Sequence, residues 1–183
     1  MVIKGPITRP TDNHECRKSS KKVAATLENL YHFVHSGLPN VYLAGINYYV
    51  CEKCGKQSAD IPALNELMVK ISRAVVGQEA RLSGAEIRFL RKRLKKKSSD
   101  FGKIIGVTPE QISRWENDGN LPSESADKLI RVFFCLLSGD EALLEKVTKH
   151  IDGWLATLPG EEHATNFQAQ LRDHQWAAES VPA

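Results

Sequence analysis

Phe101–Pro122 reads FGKIIGVTPEQISRWENDGNLP, and the rest of the 183-residue chain is best read outward from it. Phe101, Ile104 and Ile105 stand at i, i+3 and i+4, the spacing of one helical face. Gly106 follows the last of them, where a left-handed helix cap belongs. Thr108 can cap a second helix, with Pro109 at its first position, where a missing N–H costs nothing. Gln111, three residues after Thr108, is placed to complete a capping box. Ile112 and Trp115 share one face of this second helix. Pro109, Glu110, Ser113, Arg114 and Asn117 lie outside it. Gly119 and Pro122 end the pattern. The stretch therefore predicts two short helices joined by a tight turn, the second with an apolar inner edge and a polar outer edge. That combination suits insertion into a DNA major groove.

The residues from Ile87 to Leu137 resemble the phage-repressor/Cro-like helix-turn-helix family. The likeness is carried by Leu90 and Leu94, Gly106-Val107, the run Ile112-Ser113-Arg114-Trp115-Glu116-Asn117, and Gly119 and Pro122. Two positions depart from the family pattern. Ser98 stands where a Gln is usual, which weakens one expected phosphate contact. Gly102 stands where an Ala is usual, which is expected to loosen a helix–helix contact.

Charge supports the same reading. The formal net charge of +3 hides a strong asymmetry. Residues 81–114 carry 10 basic and 3 acidic side chains, for +7, while residues 115–183 carry 5 basic and 12 acidic, for −7. The positive block, densest over Arg91–Lys97, adjoins the two-helix stretch, as phosphate binding by counterion release requires. The expected base readers are Pro109, Glu110, Ser113 and Arg114. Arg114 can fork onto a guanine, Glu110 can accept from a cytosine, and Pro109 can touch a thymine methyl. The expected phosphate contacts are Lys97, Ser98, Ser99, Lys103, Thr108, Gln111 and Asn117.

Upstream, residues 1–13 have no periodicity and read as a flexible arm. Strand-like runs follow at about 26–35, 41–44 and 47–51, separated by turn residues. The last leads into Cys51-Glu52-Lys53-Cys54-Gly55, two thiols on a turn of the kind that grips zinc, with Gly55 free to take a positive φ. Cys16 is the natural third ligand and His14 the fourth, so His14, Cys16, Cys51 and Cys54 are the expected Zn2+ set, a closed structural site. A sheet this small gains from such a staple. Cys135, inside the apolar run VFFCLL, reads as a core residue.

A helix opens at Pro62 with Leu64, Leu67, Met68, Ile71 and Val75 as its stripe. Ser83 with Glu86 forms a capping box for the next. Leu129, Ile130, Phe133, Leu136 and Leu137 lie on a helix expected to close the core. A further helix runs from Asp140 to Leu155, and a weak one is expected around Phe167–Trp176. The order of ribbon, connecting helix and helix-turn-helix resembles the zinc-ribbon/helix-turn-helix antitoxins of the MqsA (YgiT) type. The carrying residues are Cys16, the run Tyr49-Val50-Cys51-Glu52-Lys53-Cys54-Gly55, and Ser113-Arg114-Trp115-Glu116. Ser19 stands where a second early cysteine would be expected, the main departure.

The expected fold is α+β, mainly α. A flexible arm (1–13) leads to a small zinc-ribbon-like β domain (14–60), a connecting helix (61–81), a five-helix repressor-like domain (82–138), and a C-terminal helix and tail (139–183). The resemblance implies a dimeric repressor of double-stranded DNA, with a protein toxin as the alternative partner of the N-terminal domain. No glycine-rich phosphate loop, nucleophile elbow or HExxH occurs, so no enzyme is expected. No apolar run has transmembrane length and the first residues lack the apolar centre of a secretory signal. A cytoplasmic protein with no membrane partner is therefore expected.

Overall fold

The computed structural model describes residues 20–117, 120–149, 165–173 and 175–182. Among these, six α-helices and two small sheets form a mixed α+β fold. The first sheet joins β1 (Ser20–Ala24), β4 (Asn47–Cys51) and β5 (Gln57–Ala59) in the order β1-β4-β5, antiparallel throughout. The second joins β2 (Tyr31–His32), β3 (Val41–Ala44), β6 (Thr165–Arg172) and β7 (Gln175–Pro182) in that order. Of the expected strands, 41–44 and 47–51 form as read. The stretch 26–35 yields only Tyr31–His32 and a short 3-10 turn at Val34–Ser36.

The C-terminal segment departs from expectation: 167–172 and 175–176, within the expected weak helix, belong to the two strands of a β6–β7 hairpin. β6 lies parallel to β3, with Val41 opposite Phe167 and Leu43 opposite Ala169. The alternation of buried Phe167 and Ala169 with half-buried neighbours is the period-two pattern of a strand. Trp176 is 2 % exposed, and its indole Nε1 donates to the Pro62 carbonyl at 2.9 Å. The end of the chain thus completes the sheet begun by residues 31–44.

α1 (Leu64–Gly77) turns Leu67, Ile71, Val75 and Val76 into the core and packs on the C-terminal hairpin. Leu64, expected on the same stripe, is exposed, because the helix begins there. Four helices occupy the repressor-like region, where five were expected: α2 (Gly84–Arg93), α3 (Ser98–Ile105), α4 (Pro109–Asn117) and α5 (Glu124–Ser138). α6 (Glu141–Lys149) follows, capped by Asp140, which accepts from the Leu143 amide at 3.1 Å. Its buried residues, Leu143 and Val147, belong to the expected stripe, and the stripe's remainder beyond Lys149 lies outside the described residues.

α5 corrects the sequence reading of its core face. Ala126, Ile130, Phe134 and Cys135 are buried, whereas Leu129, Leu136 and Leu137 are exposed. The inner face also holds Asp127 and Arg131, both 0 % exposed. Arg131 Nε donates to Asp127 at 2.8 Å, and its two Nη groups donate to the carbonyls of Val76, Gln78 and Ala80 at 2.8, 2.6 and 2.6 Å. Asp127 also accepts from the Leu82 amide at 2.8 Å. One buried ion pair therefore satisfies the backbone of the segment leading from α1 to α2, which would otherwise carry orphaned carbonyls.

No described helix is long and apolar enough to cross a membrane.

Candidate nucleic-acid interface

The helix pair forms for the local reasons its sequence declares. α3 ends at Gly106, whose φ of 80° is the left-handed cap a side chain would resist. The Gly102 carbonyl accepts from both Gly106 and Val107, closing the turn. Thr108 Oγ then accepts from the Gln111 amide at 3.2 Å and starts α4. The Glu110 carboxylate bonds its own amide and the Thr108 hydroxyl, which holds it below the usual carboxylate range. Gln111 stays half-buried beside it.

Ile112 is 0 % and Trp115 4 % exposed, so α4 is anchored by the edge expected to anchor it. Pro109, Glu110, Ser113, Arg114 and Asn117 are all exposed on its other side. Among the expected phosphate contacts, Lys97, Lys103 and Thr108 are exposed, and Ser98 and Ser99 are half-exposed at the start of α3.

Two glycines set how closely α4 seats. A Cβ on Gly84, the first residue of α2, would lie 2.1 Å from the Trp115 carbonyl oxygen. A Cβ on Gly102 would lie 2.7 Å from the Val107 carbonyl oxygen. Gly102 therefore brings α3 hard against the turn, the opposite of the loosened contact expected from its departure from the family pattern.

The basic block divides into two populations. Arg91 forks onto Glu116, with Nε and Nη2 at 2.6 and 2.7 Å from the two carboxylate oxygens, and its Nη1 donates to the Lys96 carbonyl at 2.9 Å. The Glu116 hydrogen bonds push the Arg91 guanidinium above its ordinary range. Arg88 donates to the Glu116 carbonyl at 2.6 Å and to Asn117 Oδ1. These two arginines of the basic block fix the C-terminal end of α4 to α2. Asn117 is committed likewise, because its amide also donates to the Ser113 carbonyl at 2.8 Å and to the Ser113 hydroxyl at 3.2 Å. The Arg91–Glu116 pair spans 25 positions, beyond any local motif, so sequence spacing could not reveal it. Lys92, Lys95, Lys97, Lys103 and Arg114 remain exposed cations on this module.

The chain's other candidate site is less complete. Cys51 is buried at the end of β4 and Cys54 is exposed on the turn that follows. Gly55 has a φ of 69° and donates to the Cys51 carbonyl at 2.8 Å, and Cys51 donates to the Lys56 carbonyl at 2.9 Å. His14 and Cys16 lie outside the described residues. Among the described residues, no three His, Cys, Asp or Glu side chains gather as a metal cluster. Cys135 is 1 % exposed, and burial pushes its thiol up to about 11, the behaviour of an inert core cysteine.

No curated protein and no solved structure matches the chain. Residues 87–138 match the family model described as helix-turn-helix, so the segment holding α4, Arg114 and most of the basic block is a helix-turn-helix domain.

Proposed function

We propose that this protein is a sequence-specific, DNA-binding transcriptional repressor that works as a homodimer. The observation that carries the reading is the construction of α4. Its buried Ile112 and Trp115 and its Arg88–Arg91–Glu116 clamp hold it rigidly, while Glu110, Ser113 and Arg114 stand exposed on the side away from the core. A nine-residue helix is about 13 Å long, enough to read roughly four base pairs. A second copy supplies the other half-site, about one helical turn away. Lys97, Lys103 and the α3 start fix the register through phosphates, and Arg114 reads a base.

Binding should be titrated over a randomised operator library. Arg114→Ala is expected to relax preference at one base position and to cost about 1–3 kcal/mol on the best site. Lys97→Ala is expected to weaken all sequences alike and to lower the salt slope by about one. An equal loss across all sequences for Arg114→Ala rules out its role as a base reader.

The N-terminal sheet is read here as a zinc-stapled support, with Cys51 and Cys54 as two of the ligands and Cys16 and His14 as the others. The turn with a left-handed Gly55 suits paired thiolates. The β1–β4 register sets Ser20 opposite Cys51, and Cys16 is only four residues before Ser20, a tether of at most about 14 Å. The metal would supply a structural cross-link and no reaction. One zinc per chain, lost in Cys51→Ser together with a lower melting temperature, is the expected result. Zinc-free protein that melts at the same temperature after chelator treatment overturns it.

A further inference from the structure

A cavity of about 390 Å³ opens where the flank of α1, the turn from α2 to α3 and the end of α5 meet. Its volume falls within the range of small-molecule sites. Its walls are of two kinds. Val69, Phe134 and Leu137 form an apolar side, and Val69 and Leu137 are 39 % and 46 % exposed there. Arg93, Lys95 and Lys96 form a cationic side. Asp140 is the one carboxylate among the lining residues, and it is already neutralised, forked by Arg73 at 2.6 and 2.9 Å. Positive charge is therefore in excess within the cavity.

Two further observations bear on an occupant. Arg93 Nε is buried with no hydrogen-bond partner, an uncommon and costly arrangement for a guanidinium N–H. Lys95, at a φ of 54°, is the left-handed cap of α2: the Lys95 and Lys96 amides donate to the Lys92 and Arg91 carbonyls at 3.0 and 3.2 Å, so the turn carrying the three cations is fixed by its own backbone. A carboxylate on Arg93 would give that guanidinium a partner on a turn already in place.

We propose that this cavity binds a small organic anion, a carboxylate on an apolar body about the size of one ring. The carboxylate sits on Arg93 with Lys95 and Lys96 beside it, and the body covers Val69, Phe134 and Leu137. The same turn leads straight to Lys97, the cap of α3, and its Lys96 carbonyl is held by Arg91, which clamps α4. Occupancy thus bears on the seating of α4. This regulatory consequence rests on the DNA-binding reading, whereas ligand binding itself does not.

The full-length protein should be titrated calorimetrically with benzoate and hexanoate, and with inorganic phosphate and hexanol as charge-only and apolar-only probes. Both carboxylates are expected to bind saturably at millimolar or tighter affinity and to raise the melting temperature, with phosphate and hexanol weaker. Arg93→Gln is expected to weaken benzoate about tenfold, and the surface change Lys96→Gln about threefold. No saturable carboxylate binding overturns the site, as does phosphate binding equal to benzoate, or an affinity unchanged in both variants. Operator affinity is then measured with and without saturating benzoate. A change supports the regulatory coupling and no change overturns it. Protein that binds benzoate but no DNA sequence at all refutes the DNA-binding reading and leaves the site standing.

Discussion

Gly84 has no room for a methyl group. Its Cβ would sit 2.1 Å from a backbone oxygen of α4, and backbone cannot rotate aside as a side chain can. Gly84→Ala must therefore push α2 and α4 apart at the clamp formed by Arg88, Arg91 and Glu116. The expected cost is about 2–3 kcal/mol, read as a lower urea midpoint with an unchanged slope. Gly102→Ala meets a looser 2.7 Å approach, and about 1 kcal/mol is expected, although an alanine is what the family pattern favours there. A Gly102→Ala protein as stable as the parent would show that the turn yields freely. Neither glycine is deciphered by sequence alone. A glycine's need for space is set by what lies across from it, and Trp115 stands 31 positions from Gly84.

At the scale of elements, what could be read was whatever closes within one turn of chain. The Ser83–Glu86 capping box, the Gly106 cap and the Thr108 start of α4 all formed where spacing placed them, because each bond joins residues a few positions apart. The Ile112 and Trp115 edge was legible for the same reason. The core face of α5 departs from its apolar pattern because a polar residue on a helix is ordinarily outward, and here Asp127 and Arg131 turn inward as a pair. Their partners, the carbonyls of Val76, Gln78 and Ala80, are more than 50 positions away, so nothing local signals the exchange. Removing one member exposes the design. Arg131→Met leaves Asp127 buried without its cation and strips three carbonyls of donors, and a loss of about 3–5 kcal/mol is expected in urea unfolding. Arg131→Lys should recover little of it, since one ammonium cannot span a carboxylate and three carbonyls as the guanidinium does.

Contacts between residues far apart in the sequence tie the described elements together. α1 is tied to the start of α6 by the Arg73–Asp140 fork, and the Arg73 hydrogen bond holds the Asp140 carboxyl below its ordinary range. A depressed folded value means the contribution is fully present above the unfolded value near 4 and is lost as pH falls through the lower folded one. Arg73 is 43 % exposed, so the contribution is about 0.5–1 kcal/mol. Asp140→Asn should therefore lose that stability at neutral pH and show a shallower acid decline than the parent. The larger tie is the C-terminal hairpin. β6 pairs with β3, whose Val41, Leu43 and Ala44 are 0 % exposed, and β7 packs on α1 with Trp176 hydrogen-bonded to Pro62. Trp176→Ala removes a buried indole that neither neighbour can replace, and a cost of about 3–5 kcal/mol is expected. Deleting 165–183 goes further. It bares one edge of β3 and a face of α1, so aggregation is expected together with fast amide exchange across 41–44. The helix-turn-helix core depends instead on contacts among α2 to α5, so amides of Ile112 and Trp115 should keep their protection in the deleted protein. Simultaneous loss of protection in both regions would show that the hairpin supports the helix-turn-helix domain as well as the sheet.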